Sequence, residues 1–147
     1  MNRSPSIHAS AVLIGARAAL IQGPEGSGKS RLVLALLQAA GHGLIPFARL
    51  VGDDRVHVEA AHGRLLVGPA PALAGLIEVR GLGIRRVPYE PLARVGFLVE
   101  LGLKEAERLP AQDRTEAVVA GVSLPRLGVA AGSEPLPLVL AYLHTAG

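Results

Sequence analysis

The stretch Gly23–Ser30, GPEGSGKS, has the pattern Gly-x-x-x-x-Gly-Lys-Ser. It follows the apolar run AALIQ and precedes RLVLALLQAA. Backbone N–H groups of such a bend turn inward, and the helix behind it contributes the positive end of its dipole. A strand must deliver the chain to the bend and a buried helix must carry it away. The pattern therefore requires an α/β layer structure. Gly23, Pro24, Glu25, Gly26, Ser27, Gly28, Lys29 and Ser30 form a candidate nucleotide-binding loop. In this pattern Lys29 would neutralise the β- and γ-phosphates of a nucleotide, and Ser30 would offer its hydroxyl to Mg²⁺.

The flanks support this. SAVLI and AALIQ enclose Gly-Ala-Arg, with Gly15 where a tight turn needs positive φ, which predicts a β-hairpin running into the loop. Leu32, Val33, Leu36, Leu37 and Ala40 recur at helical spacing, predicting a helix over 30–40 closed by Gly41. RLVGDDRVHVEA is strand-like, AHGR is a turn and LLVGPA returns. LIEV is a short apolar run, ARVGFLVEL the clearest late strand and KEAERLPAQDRTE a polar connection. EPLPLVLAYLHTAG fits a C-terminal helix. The expectation is one α/β domain over 1–147, with a mixed sheet, the hairpin leading into the loop, and a C-terminal helix.

Composition narrows the function classes. Two Phe, two Tyr and no Trp leave the core to aliphatic side chains, and give a nucleic-acid reader little to stack on. No cysteine means no disulfide framework and no thiolate metal site. Apolar runs are broken by charge or Gly within about a dozen residues, too short to span a membrane. MNRSPSIHAS lacks the apolar core of a signal peptide, so the expected location is the cytoplasm. The net charge is +3, and thirteen of the fifteen basic residues are Arg, which suits forked recognition of phosphates and carboxylates.

Other residues carry chemistry. Asp53 and Asp54 are adjacent carboxylates that could divide labour, one near metal or structure and one as a base for an incoming hydroxyl. Gly-Asp-Asp is equally ordinary solvated-turn chemistry. Glu78 and Arg80 alternate with Ile77 and Val79, which puts both charges on one face of a strand. Such a pair suits phosphate with Mg²⁺, or else a surface salt bridge. His8 stands alone, and by spacing a lone His is structural or exposed. His42, His57, His62 and His144 have no metal-ligand spacing. Arg108, in EAERLP, is an ordinary helix or loop arginine on physical grounds.

Together, the upstream His, the glycine loop, LVGDDRV, GLIEVRGLGI and an Arg before Leu resemble the catalytic domain of the HPr kinase/phosphorylase family, over about Ile7 to Arg108. The resemblance implies a P-loop kinase domain without the family's N-terminal domain. It implies transfer of a phosphoryl group from ATP to a serine of HPr, a phosphocarrier of the sugar phosphotransferase system. It also implies a reverse reaction in which phosphate attacks phosphoserine and releases pyrophosphate. By position, the resemblance puts Ser30 and Glu78 on Mg²⁺ and makes Asp54 the base, supported by Asp53. It gives His8 a catalytic role and places Lys29, Arg80 and Arg108 near the transferred phosphate. It further implies a homo-oligomer, a hexamer in the family, with no nucleic-acid or membrane partner.

The chain departs from the family pattern at Arg31, at the longer segment GHGLIPFARLVGDD, and at LPRLGVAAGSEP, which stands where the family has a Pro-Val-x-Pro-Gly-Arg-Asn type segment used in dephosphorylation. Two other readings are a non-catalytic ATP-binding sensor and a small-molecule kinase. The transferase reading requires the Glu78 strand, the acid pair and the glycine loop to converge near Lys29.

Overall fold

The computed structural model describes residues 6–105, 110–111 and 114–146. Strands β1 (Ser6–Ile7) and β2 (Ala9–Ile14) are separated by a bend at His8, and β3 (Arg17–Gln22) returns antiparallel to β2. Gly15 sits at φ +63 in the two-residue turn between β2 and β3, a conformation only glycine adopts freely. The expected hairpin is therefore present and ends at the glycine loop.

Helix α1 (Lys29–Gly41) buries Leu32, Val33, Leu36 and Ala39. Its end differs from expectation. Gly41 is still helical, and Gly43, at φ +76, takes the left-handed position. The amides of Leu44 and Gly43 donate to the carbonyls of Ala39 and Ala40, which satisfies the last turn.

Strands β4 (Ala48–Gly52) and β5 (Val56–Ala61) replace the single strand expected over RLVGDDRVHVEA. β6 (Arg64–Pro69) follows β5 across the His62–Gly63 turn. Beyond a short 3₁₀ turn (Pro71–Leu73), β7 (Leu76–Val79) and β8 (Gly83–Arg86) form a separate two-stranded hairpin. β9 (Ala93–Leu103) is the long late strand. β10 (Glu116–Val119) and β11 (Val122–Ala130) add a hairpin that the sequence pattern had not indicated, and α2 (Pro135–His144) is the C-terminal helix.

The main sheet runs β1-β5-β6-β9-β3-β2-β4, with β11 also on β9 and β10 on β11. β9 is parallel to β3 and β11 but antiparallel to β6, so the sheet is mixed. One face packs Val12, Ile21, Phe97 and Val99 under α1 and α2. The other gathers Ala11, Leu20, Val51, Val56, Leu65 and Val67 where β5 and β6 fold over. Leu36 is fully buried in the first of these cores. Leu36→Ala is expected to cost about 2–5 kcal/mol, read as a lower denaturant midpoint with an unchanged slope.

Candidate active site

The glycine loop joins β3, in mid-sheet, to the N-terminus of α1. Gly26 and Gly28 hold φ +80 and +99, values that a Cβ would strain. Gly28 caps α1 without a side-chain hydrogen bond, and the first turn has no acidic residue, so the helix presents bare amides to an anion. Lys29 Nζ donates to the carbonyls of Gly23 at 2.8 Å and Pro24 at 3.3 Å. Its ammonium is thus folded onto the loop and not tied up by a carboxylate.

Ser27 Oγ is buried with no hydrogen-bond partner among the described residues. It lies 2.5 Å from where a Cβ on Gly23 would stand, so the loop has no room for a side chain there. An orphaned hydroxyl, bare helix amides and a lysine held only by loop carbonyls among the described residues together form a cradle that fits a phosphate chain. The end of β9 walls this loop. Gly102 has φ +75, and a Cβ there would lie 3.0 Å from the Pro24 ring. Gly102→Ala is expected to cost about 1–2 kcal/mol from the left-handed backbone alone, lowering the thermal midpoint by roughly 2–8 °C and loosening nucleotide binding in a titration.

Behind the loop lies Asp53, only 4% exposed. The Ser30 hydroxyl lies 2.8 and 2.7 Å from its two oxygens. The Ser10 hydroxyl donates to Oδ1 at 2.7 Å, and the Glu78 amide donates to Oδ2 at 3.1 Å. One carboxylate therefore ties together β2, the first turn of α1 and β7. The solvated-turn reading of Gly-Asp-Asp fails for Asp53, because three donors hold it inside.

Asp54 is different. It is exposed, and its φ is +68. For a non-glycine residue this conformation costs roughly 1–2 kcal/mol, least for Asp and Asn. Its amide donates to Ser10 Oγ at 3.1 Å, and among the described residues its carboxylate has no hydrogen-bond partner. Arg55 follows and reaches back to the first bend, donating to Ser6 Oγ at 3.1 Å and contacting His8 Nε2 at 2.8 Å. A guanidinium has no acceptor, so in this contact Nε2 accepts and any ring proton sits on Nδ1. His8, exposed on the bend between β1 and β2, is thus held against Arg55, the residue that follows the acid pair.

Glu78 is exposed on β7, with its backbone on Asp53. Arg80 is exposed too, but it begins the turn after β7 and is not on the strand. Alternation had placed it one residue too far into the strand, because Gly81 at φ +91 bends the chain there. Arg108 lies outside the described residues. Ser30 of the loop and the Glu78 backbone are brought together on Asp53. Ser10 and Arg55 were not singled out from the sequence. A lone hydroxyl inside the apolar run ASAVLI is the signal that could have found Ser10. Among the described residues no three His, Asp or Glu groups cluster as a metal site.

A glycine loop entering a helix from a central strand, with a buried aspartate behind it, is an arrangement suited to holding phosphate in an α/β domain. The family model described as the HPr Serine kinase C-terminal domain matches residues 1–89, and the chain belongs to that family. It is similar to the HPr kinase/phosphorylase of Limosilactobacillus reuteri (strain DSM 20016), with 44% identity over 80 residues, covering 54% of this chain and 23% of that protein. The protein of the same name from Clostridium tetani is 42% identical over 69 residues, covering 47% of this chain and 20% of the relative. The chain thus spans less than a quarter of the length of these relatives. The structure of the Hpr(Ser) kinase/phosphatase from Coxiella burnetii matches with a TM-score of 0.73 at 24% identity, covering 96% of this chain and 94% of that one. That likeness is one of fold.

Proposed function

We propose that this chain is an ATP- and Mg²⁺-dependent protein serine kinase domain acting on HPr or an HPr-like carrier, with residues 1–147 forming one catalytic domain. The observation that carries the reading is the Asp53 hub. It brings Ser30 and the Glu78 strand to one point and leaves the Asp54 carboxylate exposed one residue away. Residues 23–30 hold the phosphates of ATP, with Lys29 swinging from the Gly23 carbonyl to the β- and γ-phosphates. Ser30 and Glu78 are the groups that would hold Mg²⁺, which would supply charge neutralisation on the phosphates.

Asp54 accepts the proton of the incoming serine hydroxyl. The serine oxygen then bonds to the γ-phosphorus, and the bond to the bridging oxygen breaks to leave ADP. Lys29, Arg80 and Arg108 spread the charge of the transferred group, and His8, oriented by Arg55, borders the acceptor side. In the reverse direction an oxygen of inorganic phosphate bonds to the phosphorus of phosphoserine, the bond from that phosphorus to the serine oxygen breaks, Asp54 returns a proton to the serine oxygen, and pyrophosphate is the product. The departure at LPRLGVAAGSEP weighs against this second direction more than against the first. The setting is cytoplasmic control of carbohydrate uptake through the phosphotransferase system. Among the described residues no helix is long and apolar enough to cross a membrane. Assembly as a homo-oligomer, a hexamer, belongs to the same reading, and sedimentation showing only monomer would remove it.

The test is direct. The purified chain is incubated with ATP, Mg²⁺ and HPr, the modified residue is located by mass, and phosphate is then added while pyrophosphate is followed. Phosphoserine on HPr is the expected result. Tight ATP binding with no transfer to any acceptor would replace the kinase by a nucleotide sensor. Phosphorylated metabolites with unmodified HPr would replace it by a small-molecule kinase.

A further inference from the structure

Ser10 and Asp53 are the buried polar side chains among the described residues. Ser10 sits in β2 between Ala9 and Ala11, all three fully buried. A hydroxyl there must be hydrogen-bonded to be tolerated. Both of its partners are consecutive residues of the turn between β4 and β5: it donates to Asp53 Oδ1 at 2.7 Å and accepts the Asp54 amide at 3.1 Å. The placement follows from register. The backbone ladder between β2 and β4 ends at Ala11 opposite Gly52, and Ser10 and Asp53 are the next residue on each strand. Beyond that pair the Ser10 side chain takes over from the backbone.

We propose that Ser10 is a positioning residue for the reaction: its hydroxyl fixes the left-handed Asp54 so that the exposed carboxylate faces the transferred phosphoryl group. This rests on the reading of Asp54 as the base. Asp54 stands at φ +68, away from the backbone conformations it would otherwise prefer. Among the described residues, nothing hydrogen-bonds its side chain, so its aim depends on how its backbone is held. The Ser10 hydroxyl grips that backbone from the core side. Asp53, on the same hydroxyl, links this grip to Ser30 and the glycine loop. Base and phosphate cradle are therefore held at a set separation by one buried oxygen, and reaction rates respond steeply to such separations.

The experiment compares wild type, Ser10→Ala and Ser10→Thr, with transfer to HPr and ATP binding measured separately and amide hydrogen exchange followed at Asp54. In Ser10→Ala, kcat is expected to fall roughly 10–100-fold while the KM for ATP stays within about threefold. The Asp54 amide should exchange at least about tenfold faster, with core amides of β3 unchanged. Ser10→Thr keeps the oxygen and should recover most of kcat. A role confined to stability would shift the core amides as well and leave kcat of the folded fraction intact. A folded Ser10→Ala protein with wild-type kcat, or with unchanged exchange at Asp54, overturns the proposal. Wild type that transfers nothing to HPr or any other acceptor removes the kinase reading, and the proposal with it, whereas an active wild type beside an equally active Ser10→Ala removes the proposal alone.

Discussion

Asp54→Asn is expected to reduce phosphoryl transfer to HPr by roughly 10²–10⁴-fold while leaving ATP affinity within a small factor of wild type. The asparagine amide keeps the size and shape of the side chain but cannot take a proton. It also accepts the left-handed backbone at φ +68 about as readily as aspartate, so the turn should survive. The Asp54 side chain is exposed and, among the described residues, unpartnered, so the fold loses nothing else. The stability change should stay within about 0.5 kcal/mol. Single-turnover transfer, a nucleotide titration and a thermal melt on the same preparation measure the three effects. If the variant labels HPr at the wild-type rate, Asp54 is not the base, whatever the family membership.

Asp53→Ala should behave in the opposite way, as a large loss of stability that takes activity with it. Removing the carboxylate strands the Ser10 hydroxyl, the Ser30 hydroxyl and the Glu78 amide at a site only 4% exposed. Each buried donor left unsatisfied costs about 1–3 kcal/mol, and partial relaxation around Ser30 offsets some of it. A total near 3–5 kcal/mol is a large share of the roughly 5–15 kcal/mol that holds a domain together. The thermal midpoint should fall by about 10 °C or more. Asp53→Asn keeps one acceptor oxygen but turns an NH₂ group toward the remaining donors, so its loss should be intermediate. An Asp53→Ala protein that melts with wild type would mean the hub does not support the fold. The neighbouring carboxylates thus separate by experiment: one variant loses rate and keeps its melt, the other loses both.

Much of this was legible in the chain. The hairpin, the glycine loop and α1 follow from contiguous signals: Gly15 in a two-residue turn, two glycines before Lys29, and Leu32, Val33 and Leu36 at helical spacing. The glycine that closes the helix was misplaced by two residues, Gly43 standing where Gly41 was expected. Gly41 and Gly43 are equally able to adopt positive φ, and only the capping bonds from Gly43 and Leu44 select between them. LVGDDRV looked like one strand because its apolar flanks are continuous. The break falls where Asp53 turns inward to meet Ser10 and Ser30, partners that are 43 and 23 residues away. Arg80 was drawn onto the strand by alternation that Gly81 ends. The hairpin β10–β11 escaped notice because β11 is anchored by parallel pairing to β9, a contact between distant segments.

By itself the sequence determined the α/β class, the glycine bend and the family, because each is written in short patterns whose physics is local: glycines that free the backbone, a lysine and a serine at a helix start, apolar residues at fixed intervals. The tertiary structure alone decided which aspartate is buried and which is left open to a substrate. Two neighbouring identical residues carry no local information to tell them apart. Their fates diverge because β2, α1 and β7 bring Ser10, Ser30 and the Glu78 amide to the first, and the left-handed turn directs the second outward.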